Sequence, residues 1–219
     1  MSYPDKNCDL CPRLAEFRNQ NRQKFPDKFN APVPSFGTDK AELLIVGLAP
    51  GLRGANFSGR PFTGDYAGDL LYATLLKFGF AAGQYQAHKD DGLTLINARI
   101  TNAVRCVPPE NKPTGPEMNQ CRPFLIHEIE SLKNLKVILS LGLISHNAVL
   151  KTLGMKLSAH KFVHGALHTS EAGIHVVDSY HCSRYNTNTG RLTTEMFEDV
   201  FAIIEKQLKT ESYSAASTT

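Results

Sequence analysis

The chain predicts an α/β fold, a three-layer α/β/α domain around a central parallel sheet of about four strands. Three observations predict it: short apolar runs that read as strands, helical patterns between them, and unusual motifs directly after each run. The runs are Leu43 to Val46, Ile100 to Val104, Val137 to Leu139, and His175 through Val177 to Tyr180. The helical patterns cover Leu14 to Arg22, Asp69 to Phe78, Gly115 to Leu132, Leu143 to Leu153 and Thr193 to Leu208. The last of these puts Phe197, Val200, Phe201, Ile204 and Leu208 on one face. Alternating strands and helices argue for a parallel sheet covered on both faces, with a ligand site beyond the carboxyl ends of the strands. Each strand leads there into a distinctive segment. These are Gly47-Leu48-Ala49-Pro50-Gly51, Arg105-Cys106-Val107-Pro108-Pro109, Leu141-Gly142 and His181-Cys182-Ser183-Arg184.

The 219 residues suffice for one domain with a substantial core, expected over residues 1–209. The small polar end, residues 210–219, is expected to be a disordered tail. Apolar residues make up 42% and charged residues 21%, an ordinary globular balance. The net charge of +3 is compatible with nucleic acid but does not diagnose it. No apolar stretch approaches the roughly 18 residues of a membrane span. The opening residues, Met1 to Lys6, lack the pattern of a signal peptide. An intracellular protein is expected, in which cysteines serve metal or catalysis rather than disulfides.

Cys8 and Cys11 form C-x2-C, and Cys106 and Cys121 form C-x14-C. Two pairs from distant segments can make one four-thiolate site, tying the N-terminal segment to the loop after the second strand. Such a site suits zinc or an iron–sulfur cluster, and spacing alone does not choose between them. The segment Gly47 to Gly54 is glycine-rich but is neither G-x-G-x-x-G nor a Walker loop. It is either a phosphate cradle or a turn that requires small residues.

The order of these motifs resembles the uracil-DNA glycosylase superfamily. The resemblance rests on C-x2-C, Gly47 to Gly51, Gly59-Arg60-Pro61-Phe62-Thr63-Gly64-Asp65, Thr101 to Cys106, Cys121 and His181 to Arg184. With the stretch Asn186 to Thr193, it is most similar to the family 5 (type b) enzymes and covers roughly Cys8 to Leu208. It implies a four-iron four-sulfur cluster on Cys8, Cys11, Cys106 and Cys121. It also implies a monofunctional glycosylase that removes uracil from DNA, double-stranded DNA included, with tolerance for deaminated bases such as hypoxanthine. A cytoplasmic, nucleoid-associated monomer is the matching expectation. There are two departures. Leu48 stands where family 4 enzymes have an acidic residue, and Cys182 stands where the final motif usually has proline. Losing that proline frees a backbone angle, so a less rigid loop is expected.

Glycosylase chemistry needs a flipped base in a pocket. Phe62 is the candidate for stacking on it, and Gly47 and Ala49 are assigned to the same base pocket. Asn102 is the candidate edge reader: its carboxamide matches the N3–H donor and O4 acceptor of uracil, provided a second group stops it rotating. His181 is placed to stabilise charge on the leaving ring, and Asp65 to activate water or stabilise a cationic sugar. Asp65 also reads as a helix N-cap, with Asp69 as an equally plausible cap and a fallback acid. Ser183, Arg184 and Arg191 are candidates for phosphate contacts. Tyr185 is a candidate wedge in the gap left by the base. The competing readings are a non-catalytic DNA-damage-binding protein and a zinc-stabilised phosphohydrolase on the same sheet.

Overall fold

The computed structural model describes residues 3–216, with side chains described as far as residue 210. Its centre is a six-stranded sheet in the order β1-β5-β2-β6-β8-β7. The four inner strands are β2 (Leu43–Gly47), β5 (Ala98–Asn102), β6 (Val137–Leu141) and β8 (His175–Ser179). All are parallel, with Gly47 opposite Asn102 and Leu141 opposite Ser179. These are the four expected strands, with ends shifted by a residue or two.

The sheet is wider than expected and mixed. Two short antiparallel strands, β1 (Phe36–Gly37) and β7 (Leu167–Thr169), close its edges. Neither is fully buried, so neither leaves the continuous apolar run that marks an inner strand. A separate two-stranded hairpin joins β3 (Ala81–Ala82) to β4 (Thr94–Leu95).

The long helices are α1 (Pro12–Lys24), α3 (Tyr66–Lys77), α4 (Gly115–Ser131), α5 (Leu143–Thr152) and α7 (Thr194–Ala216). The short ones are α2 (Ala55–Ser58) and α6 (Arg184–Asn188). Alternate residues of β2 feed opposite cores. Leu43 and Ile45 pack with Leu71 and Leu75 of α3 and Phe197, Val200, Phe201 and Ile204 of α7. Leu44 and Val46 pack with Leu125 and Ile129 of α4 and Val149 and Leu150 of α5. The backbone of α7 runs to Ala216, and the end of the expected tail, residues 217–219, lies outside the described residues.

Chain order across the sheet reverses at β2: the chain goes from β2 to β5 on one side, then returns to β6 on the other. The carboxyl end of β2 is therefore the switch point, where the loops diverge and leave a crevice. On the α5 side, a fully buried Asp178 helps lock the far half of the sheet. Its carboxylate accepts from Ser140 Oγ at 2.7 Å, and His146 Nδ1 and His168 Nε2 lie 2.8 and 3.0 Å away. The other nitrogen of His146 faces the His160 carbonyl at 2.9 Å, so buried polar atoms from α5, β6, β7 and β8 satisfy one another.

Candidate active site and cysteine cluster

Gly47 ends β2 where Asn102 ends β5. A Cβ built on Gly47 would lie 2.5 Å from Asn102 Oδ1 and 2.7 Å from Phe62 Cζ. Glycine is required because the carboxamide and the ring both crowd onto this point. Asn102 is 4% exposed, and among the described residues no group hydrogen-bonds its carboxamide. Crowding against Gly47 and the Phe62 ring confines the amide at this point.

Phe62 lies on the strap between α2 and α3 in a left-handed conformation, with φ of 52°. Its ring is buried, and its centroid is 6.0 Å from that of His181 at an interplanar angle of 31°. His181 follows β8 by two residues and is half-buried. Burial drives its pKa down to about 4, so it is a neutral imidazole at physiological pH. Its carbonyl accepts from Asn186 Nδ2 at 2.8 Å, which anchors the loop that carries it.

Asp65, rather than Asp69, is the N-cap of α3, and its carboxylate accepts from the Gly68 amide at 3.1 Å. It is both the cap and a pocket residue. A Cβ on Gly54 would lie 2.4 Å from Asp65 Oδ2, so the glycine-rich segment owes this glycine to the close approach of a carboxylate. Burial raises the Asp65 pKa above the usual range, assisted by Asp69, while the Gly68 and Ala67 amides oppose the rise. Its neighbours Tyr85 and Cys182 stay neutral, since burial raises both of their pKa values, that of Tyr85 to about 12.

Together these groups line one cavity of about 640 Å³ beyond the carboxyl ends of β2 and β5. Leu48, Ala49, Phe62, Asp65, Asn102 and His181 all border it. Leu48 makes part of the wall apolar. Two further lining residues, Arg53 and Asn111, were not singled out from the sequence. The signal for Asn111 is its place after Pro108-Pro109 with φ of 57°, a conformation asparagine tolerates better than most residues.

The proposed DNA contacts lie on the following loop. Ser183 caps α6, with its hydroxyl 3.5 Å from the Asn186 amide, and Tyr185 is 73% exposed. The Arg184 guanidinium sits 5.2 Å above the Tyr66 ring, and that of Arg191 sits 4.7 Å above Tyr180. Cys182 stands at the base of this loop. Its side chain is fully buried in the core that holds Phe197 and Leu192, which pins the loop from beneath.

Cys8, Cys11, Cys106 and Cys121 line one small cavity between the N-terminal segment, the loop after β5, and α4. Among the described residues, the group of metal-ligand atoms found within 4.8 Å of one another is His146, His168 and Asp178, not these sulfurs. Burial, then mutual repulsion with Cys121, raises the Cys11 and Cys106 pKa values to about 11 and 12. Donors face the sulfurs: the Arg105 amide is 3.3 Å from Cys121 Sγ, and Arg18 Nη1 is 3.8 Å from Cys106 Sγ. Arg18 Nε is buried with no partner. Such donors fit a site whose thiols give up their protons to a metal group.

A pocket at the switch point of a parallel sheet, lined by Phe62, Asp65, Asn102 and His181, marks an α/β protein with a candidate active site at the carboxyl ends of its strands. The chain belongs to the uracil DNA glycosylase superfamily, whose family model matches residues 34–205. It is 43% identical to the type-5 uracil-DNA glycosylase of Thermus thermophilus, over 88% of this chain and 90% of that protein. It is 39% identical to the type-5 enzyme of Mycobacterium leprae, over 94% and 95%. Similarity to the type-4 uracil-DNA glycosylase of Pyrobaculum aerophilum is 38% over 69% of this chain and 63% of that protein.

Proposed function

We propose that the protein is a DNA-repair glycosylase that hydrolyses the N-glycosidic bond of uracil in DNA and leaves an abasic site. The observation that carries this reading is the convergence of Phe62, Asp65, Asn102 and His181 on one cavity. The flipped base stacks on Phe62, and Asn102 reads its edge. Water attacks C1′ as the bond from C1′ to the base breaks, and the bonding electron pair moves into the ring. His181 donates an N–H towards the oxygen that gains this charge, and Asp65 offsets the positive charge on the sugar or orients the water. The glycosylase is proposed to be monofunctional, with hydrolysis and no lyase step.

Hypoxanthine presents the same N–H donor and neighbouring carbonyl as uracil, whereas cytosine and adenine present the reverse pair. The cavity has room for a purine. A panel of single-base oligonucleotides, single- and double-stranded, should therefore release uracil and hypoxanthine but not cytosine or adenine. Tight binding of uracil-DNA without release would instead describe a damage-binding protein. Ser183, Arg184, Tyr185 and Arg191 form the DNA-facing rim of this reading, with the protein acting as a monomer on chromosomal DNA.

Cys8, Cys11, Cys106 and Cys121 are proposed to hold a four-iron four-sulfur cluster. When bound, the cluster ties the N-terminal segment to the loop after β5, and hydrolysis draws no electron from it. Anaerobically purified protein should be brown and contain iron with acid-labile sulfide. Cys121→Ser should lose iron and melt at a lower temperature, while Cys182→Ser should keep its iron. Stoichiometric zinc without sulfide would reject the cluster.

A further inference from the structure

Phe62 holds a left-handed backbone conformation that a bulky residue rarely adopts, so its surroundings must impose it. Two tyrosines do so. Tyr72 Oη donates to the Pro61 carbonyl at 2.6 Å, and Tyr85 Oη donates to the Phe62 carbonyl at 3.2 Å. The Tyr85 oxygen also accepts from the Gly64 amide at 3.4 Å, so one hydroxyl bridges the turn that separates Phe62 from Asp65. Gly68 leaves room for this bridge, since a Cβ there would meet the Phe62 oxygen at 1.9 Å and Tyr85 Oη at 2.4 Å.

Tyr85 comes from the β3–β4 hairpin, and that hairpin is fastened in place. Arg60, the first residue of the strap after Gly59, makes a two-point contact with Asp91 at 2.7 Å on each oxygen. Asp91 in turn accepts from the Gln86 amide at 2.9 Å and the Leu93 amide at 3.1 Å. The Tyr85 ring stacks on Tyr72 at 4.5 Å. Burial keeps the Tyr85 hydroxyl protonated, with a pKa of about 12, so it remains a donor at any working pH.

We propose that Tyr85 is a positioning residue whose hydroxyl holds Phe62 in the left-handed conformation that aims its ring into the base pocket. This rests on Phe62 being the stacking residue. Tyr85→Phe in the full-length holoenzyme deletes the hydroxyl and keeps the ring stack. Single-turnover uracil release should fall at least about tenfold, as expected when a reacting group is misplaced. Affinity for DNA with an abasic-site analogue should not change. In a Phe62→Leu background the same substitution should cost less than about twofold, because a residue acting only through Phe62 has nothing left to position. A wild-type rate for Tyr85→Phe, or an equal loss in both backgrounds, would overturn the proposal. If Phe62→Leu itself cleaves at the wild-type rate, the stacking assignment falls and the clamp with it. A slow Phe62→Leu beside a normal Tyr85→Phe overturns the clamp alone.

Discussion

His181→Ala should cut single-turnover cleavage of uracil-containing DNA by about 10²–10³-fold, the usual cost of losing one donor aimed at a developing oxyanion. In the proposed reaction, bond cleavage leaves an electron pair in the ring, and a neutral imidazole N–H already in place would stabilise it without reorganisation. The loop should survive the change, because the His181 carbonyl, not the ring, is tied to Asn186. Affinity for abasic-site DNA should therefore stay close to wild type. The depressed pKa sets the pH behaviour. His181 is neutral in the folded protein down to about 4, whereas the unfolded chain takes up the proton near 6.5. The unfolded state binds more protons in that window, so stability held above pH 6.5 is lost as pH falls towards 4. Thermal melts of His181→Ala should show a shallower loss of stability across the same window. A cleavage rate that His181→Ala leaves untouched would remove the imidazole from the chemistry.

Asp65→Asn should lower single-turnover cleavage by roughly 10²-fold or more, the scale of a general-base contribution. The substitution isolates charge from structure. Asparagine caps helices as well as aspartate does, so α3 should keep its N-terminus, and removing a carboxylate whose ionised form burial disfavours should leave the melting temperature at neutral pH equal or higher. In the wild type, burial lifts the Asp65 pKa above the usual carboxylate value, so the rate should fall on an acid limb as pH drops through that raised value. Asp65→Asn should lack the limb. Asp69→Asn removes an exposed like charge that contributes to the shift, so it should keep the neutral-pH rate and move the limb to lower pH. If Asp65→Asn cleaves as fast as wild type, catalysis rests on His181, backbone dipoles and the charge of the DNA.

Much of the fold is legible in local pattern. The inner strands β2 and β6 are buried on both faces and leave nearly continuous apolar runs, and the α7 face repeats at helical spacing. The motifs after each strand point to one end of the sheet because a parallel topology gathers all carboxyl ends there. The edges are not legible in the same way. β1 and β7 are two and three residues long, and what makes them strands is the hydrogen bonding of a neighbour distant in sequence.

The candidate site divides similarly. Sequence alone determined which chemical groups are available: a stacking ring, a carboxamide, an acid, an imidazole and two cysteine pairs. Tertiary structure decided what each group does to its neighbours. Gly47 and Gly54 read as loop glycines until Asn102, Phe62 and Asp65 are seen pressed against them. Asp65 reads as either cap or acid, and the folded chain makes it the cap while setting its carboxylate in the cavity wall. Cys182 reads as a weakened proline site and turns out to be a buried anchor. Tyr85 carries no motif, yet its hydroxyl reaches the Phe62 carbonyl across 23 positions of sequence. Local sequence sets conformational preference and chemistry within a few residues. Close approach, burial and the pKa shifts that follow from burial are properties of packing between distant segments, so they exist only once the chain has folded.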